Sequence, residues 1–317
     1  MKPLISIIVP AYNASRYIKQ CLNSLLVQTY DNIEILVADD GSIDNTKSLI
    51  NQYSDTRVKK YHNTTNLGVV ATRNKLISLA SGDYIVLQDS DDWSAPSRIE
   101  KQVAAFDQDK GLVACGTGFN KVDNKNKVLF SKVFPTDHKS ILSEIPNDFP
   151  LQCPSVMFKA TYLKKNPYAD FFGNSGNEDL YLMGKLILNN KFINIPAPLY
   201  NYRLNDQSLT KLGQQSDLRR LYINQITVKL LTDLRETGTN WIESNDMASL
   251  NDYENSLRKK YENNPFLLHE HNIGQMLYWK QYRSALRAAL TNVTENGVNP
   301  KTIRLFLYVC KQAIYRR

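Results

Sequence analysis

The run from residue 82 to 92, Gly-Asp-Tyr-Ile-Val-Leu-Gln-Asp-Ser-Asp-Asp, ends an apolar, β-branched stretch with three carboxylates in four residues. Asp89, Asp91 and Asp92 at one turn repel one another unless a cation lies among them. Oxygen ligands suit a hard divalent ion such as Mg2+ or Mn2+, which commonly bridges protein carboxylates to substrate phosphates. Taken alone, such a cluster is more often a solvated acidic turn. Two more acid pairs stand in the chain, Asp39-Asp40 before Gly41-Ser42 and Glu178-Asp179 after the turn Asn174-Ser175-Gly176-Asn177. Acids in a first helical turn complement the helix dipole, which is the structural account of the second pair. A carboxylate within hydrogen-bond reach of a reacting hydroxyl is the chemical account.

The elements that must carry these acids can be read from periodicity. Residues 5–9 form a short apolar run closed by Pro10, as expected of a buried parallel strand. Residues 15–28 place Ile18, Leu22, Leu25 and Leu26 on one helical stripe. A strand over 33–38 ends in Asp39-Asp40, and Asp44 is a plausible N-cap for a helix running to about residue 53. Strand 58–61, helix 69–80 and strand 84–87 follow. Strands alternating with helices imply an α/β chain with a mostly parallel sheet covered on both faces. Ligands of such sheets gather at the carboxyl ends of strands. Those ends carry Pro10-Ala11-Tyr12-Asn13, Asp39-Asp40 and Asp89 to Asp92, so three polar clusters converge on one edge.

The middle of the chain is less regular: a strand at 112–115, a hairpin over 119–130 with a polar tip at 123–127, and a helix from Glu178 to about residue 188. From Gln214 onward the pattern is helical, with further helices near 250–261, 267–290 and 300–315. The best division places one domain at 1–212, in two parts at 1–110 and 111–212, and a helical C-terminal region at 213–317. The 317 residues are 42% hydrophobic and 22% charged, an ordinary globular balance. Cys21, Cys115, Cys153 and Cys310 are widely spaced, which fits reduced thiols in a cytoplasmic protein better than a disulfide frame or zinc site. There is no signal-peptide pattern, and no apolar run reaches the ~18 residues of a spanning helix. The net charge of +8 is compatible with nucleic acid, anionic lipid or phosphorylated small molecules. Nucleic acid is set aside because no recognition helix, zinc finger or aromatic strand motif accompanies the charge.

The ordered set Ser6-Ile-Ile-Val-Pro-Ala-Tyr-Asn13, Asp39-Asp-Gly-Ser-Ile-Asp44, Asn66-Leu-Gly68 with Arg73-Asn74, Asp89-Ser-Asp-Asp92 and Glu178-Asp179 resembles the family-2 inverting glycosyltransferases of GT-A fold. The resemblance covers residues 4 to about 210. It implies a nucleotide-sugar donor, most readily a UDP-sugar, and a glycan or lipid-linked acceptor, as in bacterial surface-polysaccharide or lipopolysaccharide synthesis. By the same resemblance Pro10, Ala11 and Tyr12 border the base, and Asp40 accepts from its ring N–H. Asn66, Arg73 and Ser90 belong to the donor site, and Asp89 to the ribose hydroxyls. Asp91 ligates Mn2+ or Mg2+, and Asp179 is the base that inversion requires. Glu178 and Asp92 lie on the acceptor side, although Asp92 equally suits turn formation, and Asn66 and Arg73 equally suit a turn and a helix surface. The segment Tyr202-Arg-Leu-Asn-Asp-Gln-Ser208 resembles a Tyr-Arg-x-His-x-x-Ser stretch of many members, with Asn205 where those have histidine.

Two alternatives remain at this level. A nucleotidyltransferase-like enzyme would use a glycine-rich phosphate loop near the first strand, where this chain has Pro10-Ala-Tyr-Asn-Ala-Ser15. A non-catalytic nucleotide-sugar-binding protein would be expected to lose a metal or base carboxylate, and none is missing. The tail places Ile303, Phe306, Leu307, Cys310 and Ile314 at helical spacing among Arg304, Lys311, Arg316 and Arg317 without an acid. That pattern suits either a packed helix, including a homo-oligomer contact, or one lying on the anionic inner face of a membrane.

Overall fold

The computed structural model describes residues 2–145, 149–173, 175–205, 218–278 and 281–315. Two compact units are present: Met1–Lys211 together with Thr227–Asn240, and Leu212–Ile226 together with Trp241–Arg317. The start of the C-terminal helical pattern at Gln214, and Asp206 to Ser208 of the closing motif, lie outside the described residues.

The first unit alternates as its sequence pattern predicts: β1 (Ile5–Ala11), α1 (Ile18–Leu26), β2 (Ile33–Asp40), α2 (Thr46–Asn51), β3 (Val58–Asn63), α3 (Val69–Leu79) and β4 (Tyr84–Leu87). Then come β5 (Trp93–Ser94), α4 (Arg98–Gln108), β6 (Leu112–Val122), β7 (Val128–Lys132), α5 (His138–Glu144), β8 (Met157–Lys159), α6 (Ala160–Lys165), α7 (Glu178–Ile187) and β9 (Lys191–Arg203). One mixed sheet runs in the order β3-β2-β1-β4-β8-β6-β9-β5, with β7 added at β6. Strands β3, β2, β1 and β4 are parallel, whereas β8 is antiparallel to both β4 and β6. Chain order reverses between β1 and β4, so the crevice beyond their carboxyl ends is where a ligand of an open α/β sheet belongs.

Alternate residues of β1 and β2 (Ile5, Ile7, Val9; Ile33, Ile35, Val37) share a core with Ile18, Leu22 and Leu25 of α1 and Ile99, Val103 and Phe106 of α4. Full burial of each such side chain contributes about 1.5–3 kcal/mol. The strand expected at 112–115 and the first arm of the expected hairpin are one continuous strand, β6. The helix begins at Thr46 with Asn45, not Asp44, at the N-cap position; Asp44 stands one residue earlier and accepts from the Thr46 amide at 2.9 Å and the Ser15 amide at 3.1 Å.

Arg98 anchors the acidic turn from beneath. It is fully buried on α4 and donates to the Leu87 and Pro154 carbonyls, Gln88 Oε1 and Ser94 Oγ at 2.9–3.0 Å. Its guanidinium also lies 5.2 Å from the Tyr200 ring centroid. Burial pulls its pKa down to about 10, which still leaves it charged at neutral pH. Arg98→Met keeps the volume but takes the donor from the buried Leu87 and Pro154 carbonyls, while Gln88 Oε1 and Ser94 Oγ keep only their bond to each other. Urea unfolding is expected to report a loss of about 3 kcal/mol.

In the second unit the helices are Met247–Glu262, Pro265–Tyr278, Tyr282–Asn296 and Pro300–Tyr315. The single helix expected over 267–290 is thus two, with Gln281 at the N-cap position of the second. Ile273, Ala285, Ala289 and Val309 form their core, with Leu305 and Phe306 packed against it. The tail helix therefore uses part of its wide apolar stripe for packing and leaves Ile303, Leu307, Tyr308 and Ile314 exposed. Arg316 and Arg317 lie outside the described residues. No described helix is long and apolar enough to cross a membrane. All four cysteines are free thiols.

Candidate active site

The end of β1 is shaped by its neighbours. Ala11 is buried, Pro10 half-buried and Tyr12 exposed. Asn13, at φ 49°, exchanges bonds with the next loop: its amide donates to Ser42 Oγ and its Oδ1 accepts from the Ile43 amide. At the end of β2, successive side chains take different work. Asp40 accepts from Asn63 Nδ2 at 2.7 Å and from the amides of Leu67 and Gly68 at 3.0 Å each. Asn66 accepts from the Gly68 amide at 2.8 Å, an Asx turn. Both residues expected at the donor are therefore engaged in holding the loop before α3. Gly41 is required there, because at φ +70° a Cβ would sit 2.5 Å from the Thr65 carbonyl carbon. Asp39, which the motif reading left unassigned, is 1% exposed and keeps Oδ1 without a protein partner. Its Oδ2 stands 4.0 Å from His62 Nδ1.

The turn after β4 divides its acids. Asp92 is buried, with Oδ2 taken by the Tyr200 hydroxyl at 2.8 Å and Oδ1 by the Arg203 amide at 2.7 Å. Of its two expected roles, the geometry gives it the turn: it ties β9 to the acidic loop. Burial, then repulsion from Asp91 and Asp89, pushes its pKa well up. Asp91 and Ser90 are half-buried. Arg203 braces the Asp91 carbonyl through Nε at 3.0 Å, reaches Gln20 and Asn126 at 2.7 Å, and has Tyr17 and Trp93 ring centroids each 4.7 Å away. Asn205 donates to Asp91 Oδ2 at 3.3 Å, so the amide at the histidine position does reach the metal candidate.

The base candidate sits at the start of α7, behind Gly176 and Asn177, both at positive φ. Asp179 accepts from the Tyr168 hydroxyl at 2.8 Å on Oδ1 and from Arg73 Nη1 at 3.2 Å on both oxygens. The same nitrogen reaches Glu178 Oε1 at 3.1 Å, while Arg73 Nη2 reaches Asp89 Oδ1 at 3.1 Å. Arg73 was expected to touch the donor; the structure turns it toward three carboxylates and joins the acidic turn to the base. Burial alone would lower its pKa, but Asp179, Tyr168, Asp89 and Glu178 together hold it well above the ordinary value. The segment Thr227–Asn240 braces α7 from the same unit: Asn177 donates to Thr227 Oγ1, and Tyr181 meets Asn240. A Cβ on Gly184 would lie 2.6 Å from Leu231 Cδ1, so helix and segment touch closely.

Burial, then repulsion from Asp179, raises Glu178 to about 7. A carboxyl whose folded pKa exceeds its unfolded value binds extra protons when folded, so it costs stability as pH rises between 4.5 and about 7. Glu178→Gln is expected to remove that slope: relative to wild type, its melting temperature gains more at pH 7.5 than at pH 5. Thermal melts of the two proteins across that range check it.

Among the described residues no three His, Cys, Asp or Glu side chains form a metal cage. The donor set still fits an ion that takes most of its ligands from water and phosphate. Asp91 is a hard oxygen ligand whose pKa is raised by burial and whose Oδ2 is met by the Asn205 amide at a long 3.3 Å, so a divalent cation would relieve its desolvation.

The sequence profile of glycosyl transferase family 2 matches residues 6–168. The chain is similar to the Escherichia coli UDP-Glc:alpha-D-GlcNAc-diphosphoundecaprenol beta-1,3-glucosyltransferase WfgD, at 32% identity over 65% of this chain and 79% of that protein. It is also similar to the putative glycosyltransferase EpsE of Bacillus subtilis, at 35% identity over 50% of this chain and 53% of that one. Among solved structures, Staphylococcus aureus TarS 1–349 in complex with UDP superposes with a TM-score of 0.56 at 20% identity, over 100% of this chain and 93% of that one. The mannosyltransferase PcManGT of Pyrobaculum calidifontis, in complex with GDP-Man and Mn2+, gives 0.58 at 18% identity, over 100% and 82%. These neighbours share the mixed α/β GT-A architecture. The profile match takes in the strands of the sheet up to β8, the acidic turn and Arg73, and the chain belongs to glycosyl transferase family 2.

Proposed function

We propose that this glycosyltransferase moves a sugar from a UDP-sugar to an acceptor hydroxyl with inversion at the anomeric carbon. The observation that carries the reading is the Asp179 carboxylate, held by Tyr168 and Arg73, with Arg73 also holding Asp89 of the acidic turn. Oδ1 of Asp179 accepts from both Tyr168 and Arg73 and Oδ2 from Arg73, so in this reading Oδ2, the less engaged oxygen, takes the acceptor's proton. The hydroxyl oxygen then bonds to the anomeric carbon as the bond to the diphosphate breaks. Asp89 offers Oδ2 to the ribose, and Pro10, Ala11 and Tyr12 border the base together with the unmatched Asp39 oxygen. Asp91 would hold Mn2+ or Mg2+, which when bound supplies positive charge to the departing diphosphate. Mn2+ in the complex of PcManGT supports that assignment.

WfgD, by its name, takes UDP-Glc and a diphosphoundecaprenol acceptor. By that analogy the acceptor here is lipid-linked, the product a bacterial surface glycan, and the enzyme a peripheral protein of the cytoplasmic membrane face. A panel of UDP-glucose, UDP-galactose, their N-acetylamino forms, and GDP- and dTDP-sugars tests the donor. Mn2+-dependent UDP release from one of the UDP-sugars is the expected result. Turnover confined to GDP- or dTDP-sugars, or unaffected by chelator, would overturn the donor or the metal assignment respectively.

A further inference from the structure

We propose that the β6–β7 hairpin is a membrane-docking ribbon that inserts into an anionic bilayer surface beside the acidic turn. This rests on the reading that the acceptor is lipid-linked. Residues 124–133 are ten consecutive exposed positions, Asn-Lys-Asn-Lys-Val-Leu-Phe-Ser-Lys-Val. Val128, Leu129 and Phe130 are each 48% exposed and Val133 is 53% exposed. The register pairs Lys121 with Phe130 but Val122 with Val128, so a bulge at Leu129 sets Val128 and Phe130 on opposite faces of the ribbon. Among the described residues β7 pairs only with β6, leaving it as an edge. Edge strands are ordinarily kept short, charged and poor in exposed apolar residues. Here large apolar residues on both faces make the ribbon wettable by lipid rather than by water.

The charge identifies the kind of surface. Lys125, Lys127 and Lys132 lie in the same run and no acid stands between residues 124 and 133. The preceding acid, Asp123, closes the tip, accepting from the Lys125 and Lys127 amides at 2.8 and 2.9 Å, and three lysines outnumber it. Long lysine stems can lie along apolar surface while their ammonium groups reach lipid phosphates. The tip is also tied to the site. Asn126 Oδ1 accepts from Arg203 Nη1, and Arg203 Nε donates to the Asp91 carbonyl. One arginine side chain thus separates the ribbon from the residue proposed to hold the metal. Docking there would set the crevice at the leaflet from which a lipid diphosphate is presented.

The test is vesicle co-sedimentation of the full chain with phosphatidylglycerol-containing and with purely phosphatidylcholine vesicles. Wild type is expected to bind the anionic vesicles and to release in high salt. Val128→Ser/Leu129→Ser/Phe130→Ser should weaken binding roughly tenfold or more. Lys125→Gln/Lys127→Gln/Lys132→Gln should weaken it and flatten its salt dependence. Leu129→Trp, which keeps the apolar character, should show blue-shifted emission with anionic vesicles. Ile303→Ser/Leu307→Ser controls for the exposed face of the tail helix. If wild type binds and the hairpin variants bind equally well, the ribbon is not the docking element while the membrane reading stands. If wild type binds neither vesicle, the membrane reading falls together with the ribbon. A dimer lost in the hairpin variants, without any vesicle binding, would overturn the proposal and make the edge a contact between copies.

Discussion

Asp179→Asn is expected to lower kcat by roughly 10²–10⁴ while leaving donor affinity close to wild type. The substitution keeps the size of the side chain and an oxygen that can still accept from Tyr168 and Arg73. What it removes is the carboxylate proposed as proton acceptor. Rapid-quench turnover with saturating donor and acceptor, paired with calorimetric titration of UDP, separates the two parameters. The buried guanidinium is the complication, because it loses one of its carboxylates and could pull Asp89 with it. A matching loss of UDP affinity would therefore reassign Asp179 as a structural member of the cluster rather than the base.

Asp91→Asn is expected to reduce turnover by roughly 10²–10³ and to make UDP binding indifferent to Mn2+. The fold should survive, because the brace from Arg203 goes to the Asp91 backbone carbonyl. Burial disfavours the charged form of Asp91, so the neutral variant should also be at least as stable as the metal-free wild type. Calorimetry of UDP binding with Mn2+ and with chelator, alongside a melt, reads both effects. Activity near wild type in the presence of chelator would show that Asp91 does not hold the ion.

The alternation of β1 to β4 with α1 to α3 was legible because β1, β2 and β4 are short, mostly apolar runs, with the polar edge strand β3 placed by its position between two helical stretches. The acidic clusters were legible for the same reason, since they interrupt those runs at their carboxyl ends. Helix α4 was not foreseen: its buried face mixes Arg98 and Gln102 with Ile99, Val103 and Phe106, so the apolar stripe is broken by polar residues that find partners only in the fold. Strand β9 was hidden by Pro196 and Pro198, which argue against a central strand. The sheet tolerates them where the β6–β9 register shifts around Gly118. The role of Arg73 could not be read locally at all, because Glu178 and Asp179 are 105 and 106 residues away along the chain. The same holds for Asp39 against Asp40, where the motif marks the pair and only the hydrogen bonds tell them apart.

The bracing of α7 by Thr227–Asn240 bears on where this enzyme can be cut or recombined. A division at 212, natural on sequence grounds, would strip Thr227, Leu231 and Asn240 from the helix that presents Asp179. A chain shortened there is expected to lose turnover, because the helix bearing the proposed base would lose its brace even with every motif residue retained. Nor does a clean seam lie just beyond, because the helix Arg219–Thr237 begins in one unit and ends in the other. Exchanging C-terminal regions between relatives therefore means either splicing within that helix, in phase with its turns, or carrying the whole of it through residue 240 with the catalytic part.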